Sequence, residues 1–180
     1  FCPDGALAVP GGDRVVEPLN RAAARFSAAQ LPIFATRDWH PPHTGHFQAF
    51  GGLWPVHCVQ NTPGAEFHPD LRLPAHTIFL FKGIDERLDG YSAFDGVEES
   101  GTPLAQLIEE HGIRHLYIGG LATDYCVRST VLDARRRGLE VTVLIDAVAG
   151  VDLQPGDSER AIAEMRRAGA RMCRVDEIEL

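Results

Sequence analysis

One stretch restricts the fold more than any other. An apolar run, His115-Leu116-Tyr117-Ile118, breaks on Gly119-Gly120, and a helical pattern follows at once. The run reads as a buried strand. Val127, Val131, Leu132 and Ala134 fall on or near one helical face. The paired glycines permit a tight turn between the two elements. Thr123 and Asp124 are good N-cap residues, so Cys126 is expected in the first turn of a helix that starts just past a strand's carboxyl end. Helix N-termini carry partial positive charge and unpaired N–H groups. Both favour a thiolate, and the free N–H groups can hold a developing oxyanion. Cys126 is therefore a candidate nucleophile. The competing role is a small buried hydrophobe, the commoner use of a free cysteine.

The rest of the chain repeats this alternation. Helical patterns run over residues 14–29, where Pro18 limits the start, over 102–112 from Thr102-Pro103, and over 156–169 after Gly156-Asp157-Ser158. Apolar strand-like runs cover 31–36, 76–81, 139–145 and 171–175. The pattern predicts an α/β fold, a three-layer α/β/α arrangement around a mostly parallel central sheet, in one domain over residues 1–180. The chain opens on Phe1 with no strand before it, and an N-terminal strand ahead of Phe1 is expected.

The formal net charge of −8 argues against nucleic acid or an anionic membrane surface as partner. No apolar run approaches a membrane span, and no signal peptide is visible. Cys2, Cys58, Cys126 and Cys173 form no CxxC pair and read as reduced thiols of a cytoplasmic protein. The partner expected is a small-molecule substrate; whether the chain forms a homo-oligomer is not written in the sequence.

In parallel sheets ligands gather beyond the carboxyl ends of the strands. Three chemically capable segments end strands here: Asp38-Trp39-His40, Lys82-Gly83 and the turn to Cys126. Lys82 is the only lysine beside sixteen arginines, which suggests a position that needs an ammonium. Five of the eight histidines, His40, His43, His46, His57 and His68, crowd into one region. Within it, residues 41–74 form a long connection without period, a form that is usually functional. Asp38 and His40, one residue apart on an extended segment, share a face. His57 or His46 can swing in as further ligands. A donor set of oxygen and nitrogen without thiolate suits Zn, Fe or Mn. The competing role for each histidine is a solvated surface position. Cys58, next to His57, reads as a packed thiol, because neighbours on an extended segment point opposite ways. For Tyr91 and Asp146 packing is the default.

The residues 1–9 (Phe1-Cys2-Pro3-Asp4-Gly5-Ala6-Leu7-Ala8-Val9), Thr36-Arg37-Asp38-Trp39-His40-Pro41-Pro42-His43, Trp54-Pro55-Val56-His57-Cys58-Val59, Gly64-Ala65-Glu66-Phe67-His68, Lys82-Gly83, Tyr91-Ser92-Ala93-Phe94 and Gly120-Leu121-Ala122-Thr123-Asp124-Tyr125-Cys126-Val127 stand in one order along most of the chain. In that order they resemble the nicotinamidase/pyrazinamidase branch of the isochorismatase-like cysteine hydrolases. The resemblance implies an amidohydrolase that converts nicotinamide, and pyrazinamide, to the acid and ammonia through a thioester, with a role in NAD salvage. It implies Cys126 as nucleophile and Lys82 as the basic triad member. Ala122 and Cys126 would supply the oxyanion hole, beside a cis peptide at Leu121-Ala122. Phe1 and Trp54 would sandwich the ring. Asp38, His40 and His57 would bind one divalent metal, most simply Zn, with His46 as the extra histidine of some members. The family's third triad member is an aspartate on the first strand, upstream of the position of Phe1. Two rivals are a relative acting on isochorismate, carbamoyl or ureido compounds, and an inactive metal-binding homologue.

Overall fold

The computed structural model describes residues 1–180. Five strands pair only in parallel, in two sheets. In the first, β1 (Phe34–Asp38) runs beside β2 (Ile78–Lys82), in a register that sets Asp38 directly across from Lys82. In the second, β4 (Glu140–Ala149) lies between β3 (His115–Leu121) and β5 (Arg171–Cys173). Four helices accompany them: α1 (Val16–Ala28) precedes β1, no α-helix separates β1 from β2, and α2 (Leu104–Glu110), α3 (Arg128–Arg136) and α4 (Asp157–Arg167) precede β3, β4 and β5. No helix is long and apolar enough to cross a membrane.

The side chains of β4 explain the layering. Val141 and Val143 join Val131, Ala134 and Met165 in a core shared by α2, α3 and α4. Leu144 and Ala147 join Ala22, Val175 and Ile178, with Leu19 and Phe26 packed against them. Helices therefore cover both faces of a parallel sheet, as its near-continuous apolar strands require. Each fully buried valine or leucine contributes about 1.5–3 kcal/mol.

Element ends follow local chemistry. Pro18 lies in the first turn of α1, where its missing N–H costs nothing. Helix α3 closes with Arg135 and Arg136 in its last turn and Gly138 at φ 81°. There the Leu139 N–H donates to Ala134 O (3.1 Å) and the Gly138 N–H to Arg135 O (3.0 Å), a glycine-terminated cap. β1 begins three residues later than the apolar run, because the Leu31 N–H is held by Phe26 O as the tail of α1 (3.0 Å).

The glycine pair behaves differently from the sequence expectation. Gly119 and Gly120 do not turn the chain; they belong to β3, which continues to Leu121 with a register shift between Ile118 and Gly120. Gly119 permits close approach, while Gly120 takes a left-handed φ of +111° with open space where a Cβ would lie. A Cβ on Gly119 would lie 3.2 Å from Ala147 O and 3.3 Å from Ala147 Cβ, so β4 extends to Ala149, beyond the expected end at 145. The N-terminal segment folds back on itself through a hydrogen bond from the Val9 N–H to Phe1 O (3.1 Å). Gly12, where a Cβ would meet Phe1 O at 2.9 Å and Leu121 Cδ1 at 3.3 Å, seats Phe1 near the end of β3.

Candidate active site

Cys126 stands in a single π-helical turn, Thr123–Val127, between β3 and α3. The N–H groups of Tyr125 and Val127 both donate to Ala122 O (3.2 and 3.0 Å). The expected side-chain N-cap is absent: Ala122 is the capping residue. Asp124 instead accepts from the Val151 and Asp152 N–H groups (2.9 and 2.7 Å), which ties the turn to the loop after β4. Thr130 Oγ1 donates to Cys126 O (2.7 Å) and accepts from the Ala93 N–H (2.8 Å), fixing the turn from the other side. The Leu121–Ala122 peptide is cis.

Lys82, at the carboxyl end of β2, reaches across from the first sheet. Its Nζ lies 3.3 Å from Cys126 Sγ, donates to Gly90 O (3.1 Å), and is hydrogen-bonded to the Asp38 carboxylate. Lys82 and Asp38 are both buried. Burial alone would lower the lysine pKa, but the charges of Asp38 and Cys126 outweigh it and raise it above the ordinary value. Burial likewise opposes ionisation of Asp38, and the Lys82 charge beside it holds its pKa below the ordinary value. Burial pushes the Cys126 thiol up, against the pull of Lys82 and of a hydrogen bond from the Ala122 backbone. The lone lysine is thus an ammonium locked between a carboxylate and a sulfur, and the backbone amide expected in the oxyanion hole faces that sulfur.

Three buried histidines face each other beside this group. His40, His46 and His57 bring their ligand nitrogens within 4.8 Å of one another. Each uses Nδ1 elsewhere: His40 on Gly83 O (3.0 Å), His57 on Pro55 O (2.8 Å), and His46 on Asp89 Oδ1 (2.7 Å). Such bonds fix the tautomer and leave Nε2 to a metal. His40 Nε2 is buried with no hydrogen-bond partner, which costs free energy unless something ligates it. Burial holds the His40 pKa down to about 4 and lowers that of His57, so both are neutral, the ligating form, at pH 7. The residues present fit a divalent cation. Gly83 is required here, since a Cβ would lie 2.4 Å from His40 Cε1.

Asp38 belongs to a neighbouring group, with His57 and Cys58, whose ligand atoms also lie within 4.8 Å. His57 is the member common to both groups. Cys58 joins because its φ is 44°, so the alternation of an extended segment does not apply to it. It is buried, and burial pushes its thiol up to about 12. His43 and His68 stand apart: His43 packs edge-on to Phe50 (5.2 Å), and His68 accepts from the Asp70 N–H (3.1 Å).

Phe1, Leu7, Trp54, Tyr91, Tyr125 and Val151 line the cavity above Cys126 and the histidines. Phe1 lies 5.7 Å from the His57 ring, and Trp54 packs edge-on to Tyr125 at 4.7 Å. The Trp54 Nε1–H donates to Tyr91 Oη (2.7 Å), so Tyr91 is more than packing. Asp146 lies away from the cavity: it accepts from the Val175 N–H (2.9 Å), and Arg21 and Arg174 stand 3.7 and 3.8 Å from its Oδ2. Asp89 carried no sequence signal, being one acidic residue in a loop with Asp85 and Glu86.

Residues 1–177 match the isochorismatase domain family. The chain is 40% identical over 188 residues to the nicotinamidase of Escherichia coli (strain K12), covering 96% of this chain and 88% of that one. It superposes on the pyrazinamidase of Pyrococcus horikoshii in complex with zinc with a TM-score of 0.88 at 43% identity, over 97% of this chain and 92% of that one. A protein from L. infantum in complex with nicotinate gives 0.82 at 33% identity, over 98% and 87%. A thiol, an ammonium and a histidine cluster at the carboxyl ends of parallel strands, on a backbone shared with these enzymes, make this chain a member of the isochorismatase family of hydrolases.

Proposed function

We propose that the chain hydrolyses nicotinamide to nicotinate and ammonia, and pyrazinamide likewise, with residues 1–180 acting as one hydrolase domain. The observation that carries this is the 3.3 Å approach of the sole lysine to the Cys126 sulfur, on a cavity walled by Trp54 and three histidines. The E. coli nicotinamidase supports the substrate, and the zinc complex of the P. horikoshii pyrazinamidase supports zinc as the ion. His40, His46 and His57, with Asp38 beside them, would hold it. When bound, the metal supplies Lewis-acid chemistry and a seat for the ring nitrogen or a water.

Side chains and backbone groups do the rest. Phe1 and Trp54 hold the aromatic ring in the slot. The Cys126 thiol, raised by burial, gives its proton to the aspartate that the resemblance places ahead of Phe1. The Lys82 ammonium then faces a thiolate. The sulfur attacks the carboxamide carbon, and the N–H groups of Ala122 and Cys126 hold the oxyanion. Collapse breaks the C–N bond, and ammonia leaves with the proton that the aspartate took. Water adds to the thioester; the acid departs and the thiol is restored.

The test is ammonia release from nicotinamide by the zinc-loaded protein, with Cys126→Ala as reference. The expected result is turnover that falls by about 10⁴-fold or more in the variant. Zinc-loaded protein that releases no ammonia from nicotinamide, but turns over a carbamoyl or ureido compound, overturns the substrate.

A further inference from the structure

The three clustered histidines are anchored in two different ways. His40 and His57 are held by backbone carbonyls, Gly83 O and Pro55 O, which no side-chain substitution can remove. His46 alone is held by a side-chain carboxylate, Asp89 Oδ1 at 2.7 Å. The His46 side chain is 3% exposed and that of Asp89 is 56% exposed, so a loop carboxylate reaches inward to a buried ring. The loop that carries Asp89 is itself pinned beside His46: Glu86 O accepts from the Gly45 N–H (2.9 Å) and from Thr44 Oγ1 (3.1 Å). One residue after Asp89, Gly90 O accepts from the Lys82 ammonium (3.1 Å).

We propose that Asp89 is a positioning residue for the metal: its carboxylate fixes the tautomer and orientation of His46, presenting Nε2 as a donor alongside His40 and His57. The assignment rests on the metal-holding role of these histidines proposed above. A carboxylate that accepts from a ligating imidazole raises its basicity and locks its ring, and loss of such a partner typically costs 10–100-fold in metal affinity. Through Gly90 the same loop joins this anchor to Lys82, so the metal donors and the ammonium share one support.

The experiment is a zinc titration of the metal-free protein against a competing chelator, for the parent, Asp89→Ala, Asp89→Asn, His46→Ala and the double variant His46→Ala/Asp89→Ala. Thermal melts of the metal-free forms show that each is folded. Asp89→Asn keeps the size of the side chain, so it decides the matter if the alanine variant misfolds. The expected result is a zinc dissociation constant raised about 10–100-fold by Asp89→Ala, with a smaller rise for Asp89→Asn. The double variant should bind as His46→Ala alone does, because a residue acting through His46 adds nothing once that ring is gone. The visible spectrum of the cobalt-loaded protein should shift in Asp89→Ala toward that of His46→Ala. An unchanged zinc affinity in both Asp89 variants, or losses that add in the double variant, overturns the role of Asp89 alone. A parent protein that takes up no zinc overturns the metal site as well. None of these readouts needs a substrate.

Discussion

Lys82 is the most constrained single residue in the molecule. Its ammonium meets the Asp38 carboxylate, Gly90 O and the Cys126 sulfur in a buried slot. Three donors on one compact nitrogen match three acceptors arranged around it. A guanidinium is planar and larger, so it cannot serve all three from the same place. Lys82→Arg should therefore remain folded at 25 °C, with an overpacking cost of about 1–3 kcal/mol. Its turnover of nicotinamide should fall roughly 10²–10³-fold or more. Steady-state rates beside a thermal melt check this; near-parental turnover would mean that Lys82 is only a buried strand end. Tyr91 poses a milder case. Its oxygen is the acceptor for the Trp54 indole N–H, and Trp54 is buried. Tyr91→Phe strands that donor at a cost of about 1–3 kcal/mol. The expected kinetic signature is a raised KM for nicotinamide with a smaller change in kcat, since the indole wall loosens while Cys126 and Lys82 keep their geometry. An unchanged KM would sink the idea that Tyr91 sets the wall.

Element by element, the site depends on what each strand end does next. β2 delivers Lys82 and then turns at once through Gly83, whose φ is +68° and whose missing Cβ leaves room for the His40 ring. Gly83→Ala should cost about 1 kcal/mol from backbone strain alone, and more from the displaced ring. The rise in melting temperature that zinc produces, a measure of how well the native state binds it, should shrink in this variant; a rise equal to the parent's would show that His40 tolerates the intrusion. The sequence announced this end of β2, because an apolar run closing on a solitary lysine and a glycine is a strong pattern. It also announced the alternation of strands and helices, and brought Cys126, Lys82, Asp38, His40 and His57 to one rim. The π turn was less legible. Thr123 and Asp124 look like caps in one dimension, but Asp124 is claimed by Val151 and Asp152, partners 27 and 28 positions away. The link from His46 to Asp89 spans 43 positions and that from Trp54 to Tyr91 spans 37. Periodicity reports only neighbours a few residues apart, so contacts made by loop residues over such distances leave no trace in it. The same holds for Gly119 and Gly120, which look like a turn but lie within β3, where Gly119 lets β4 pass close and Gly120 takes a φ of +111°.

Across the whole molecule, catalytic geometry and C-terminal closure occupy different parts of the fold. The thiol, the ammonium and the histidines gather where β1, β2 and β3 end. The last residues are secured elsewhere, by α1: the Arg25 guanidinium donates to Val175 O (3.2 Å), Asp176 O (3.3 Å) and Ile178 O (2.5 Å). Val175 and Ile178 are thereby held in the smaller core with Ala22, Leu144 and Ala147. Arg25 lines no part of the cavity. Arg25→Ala removes hydrogen bonds made by a charged group, worth about 1.5–3 kcal/mol in sum where the carbonyls regain water. For a chain of this length that lowers Tm by about 3–12 °C. Because the loss is local, hydrogen exchange at residues 175–180 should quicken, while kcat/KM for nicotinamide at 25 °C stays at the parental value. Differential scanning calorimetry, exchange and kinetics on the same preparation decide it. A fall in kcat/KM comparable to that of Tyr91→Phe would mean that the C-terminal clamp reaches the site through α1 and β4, and that the two parts of the molecule are coupled rather than separate.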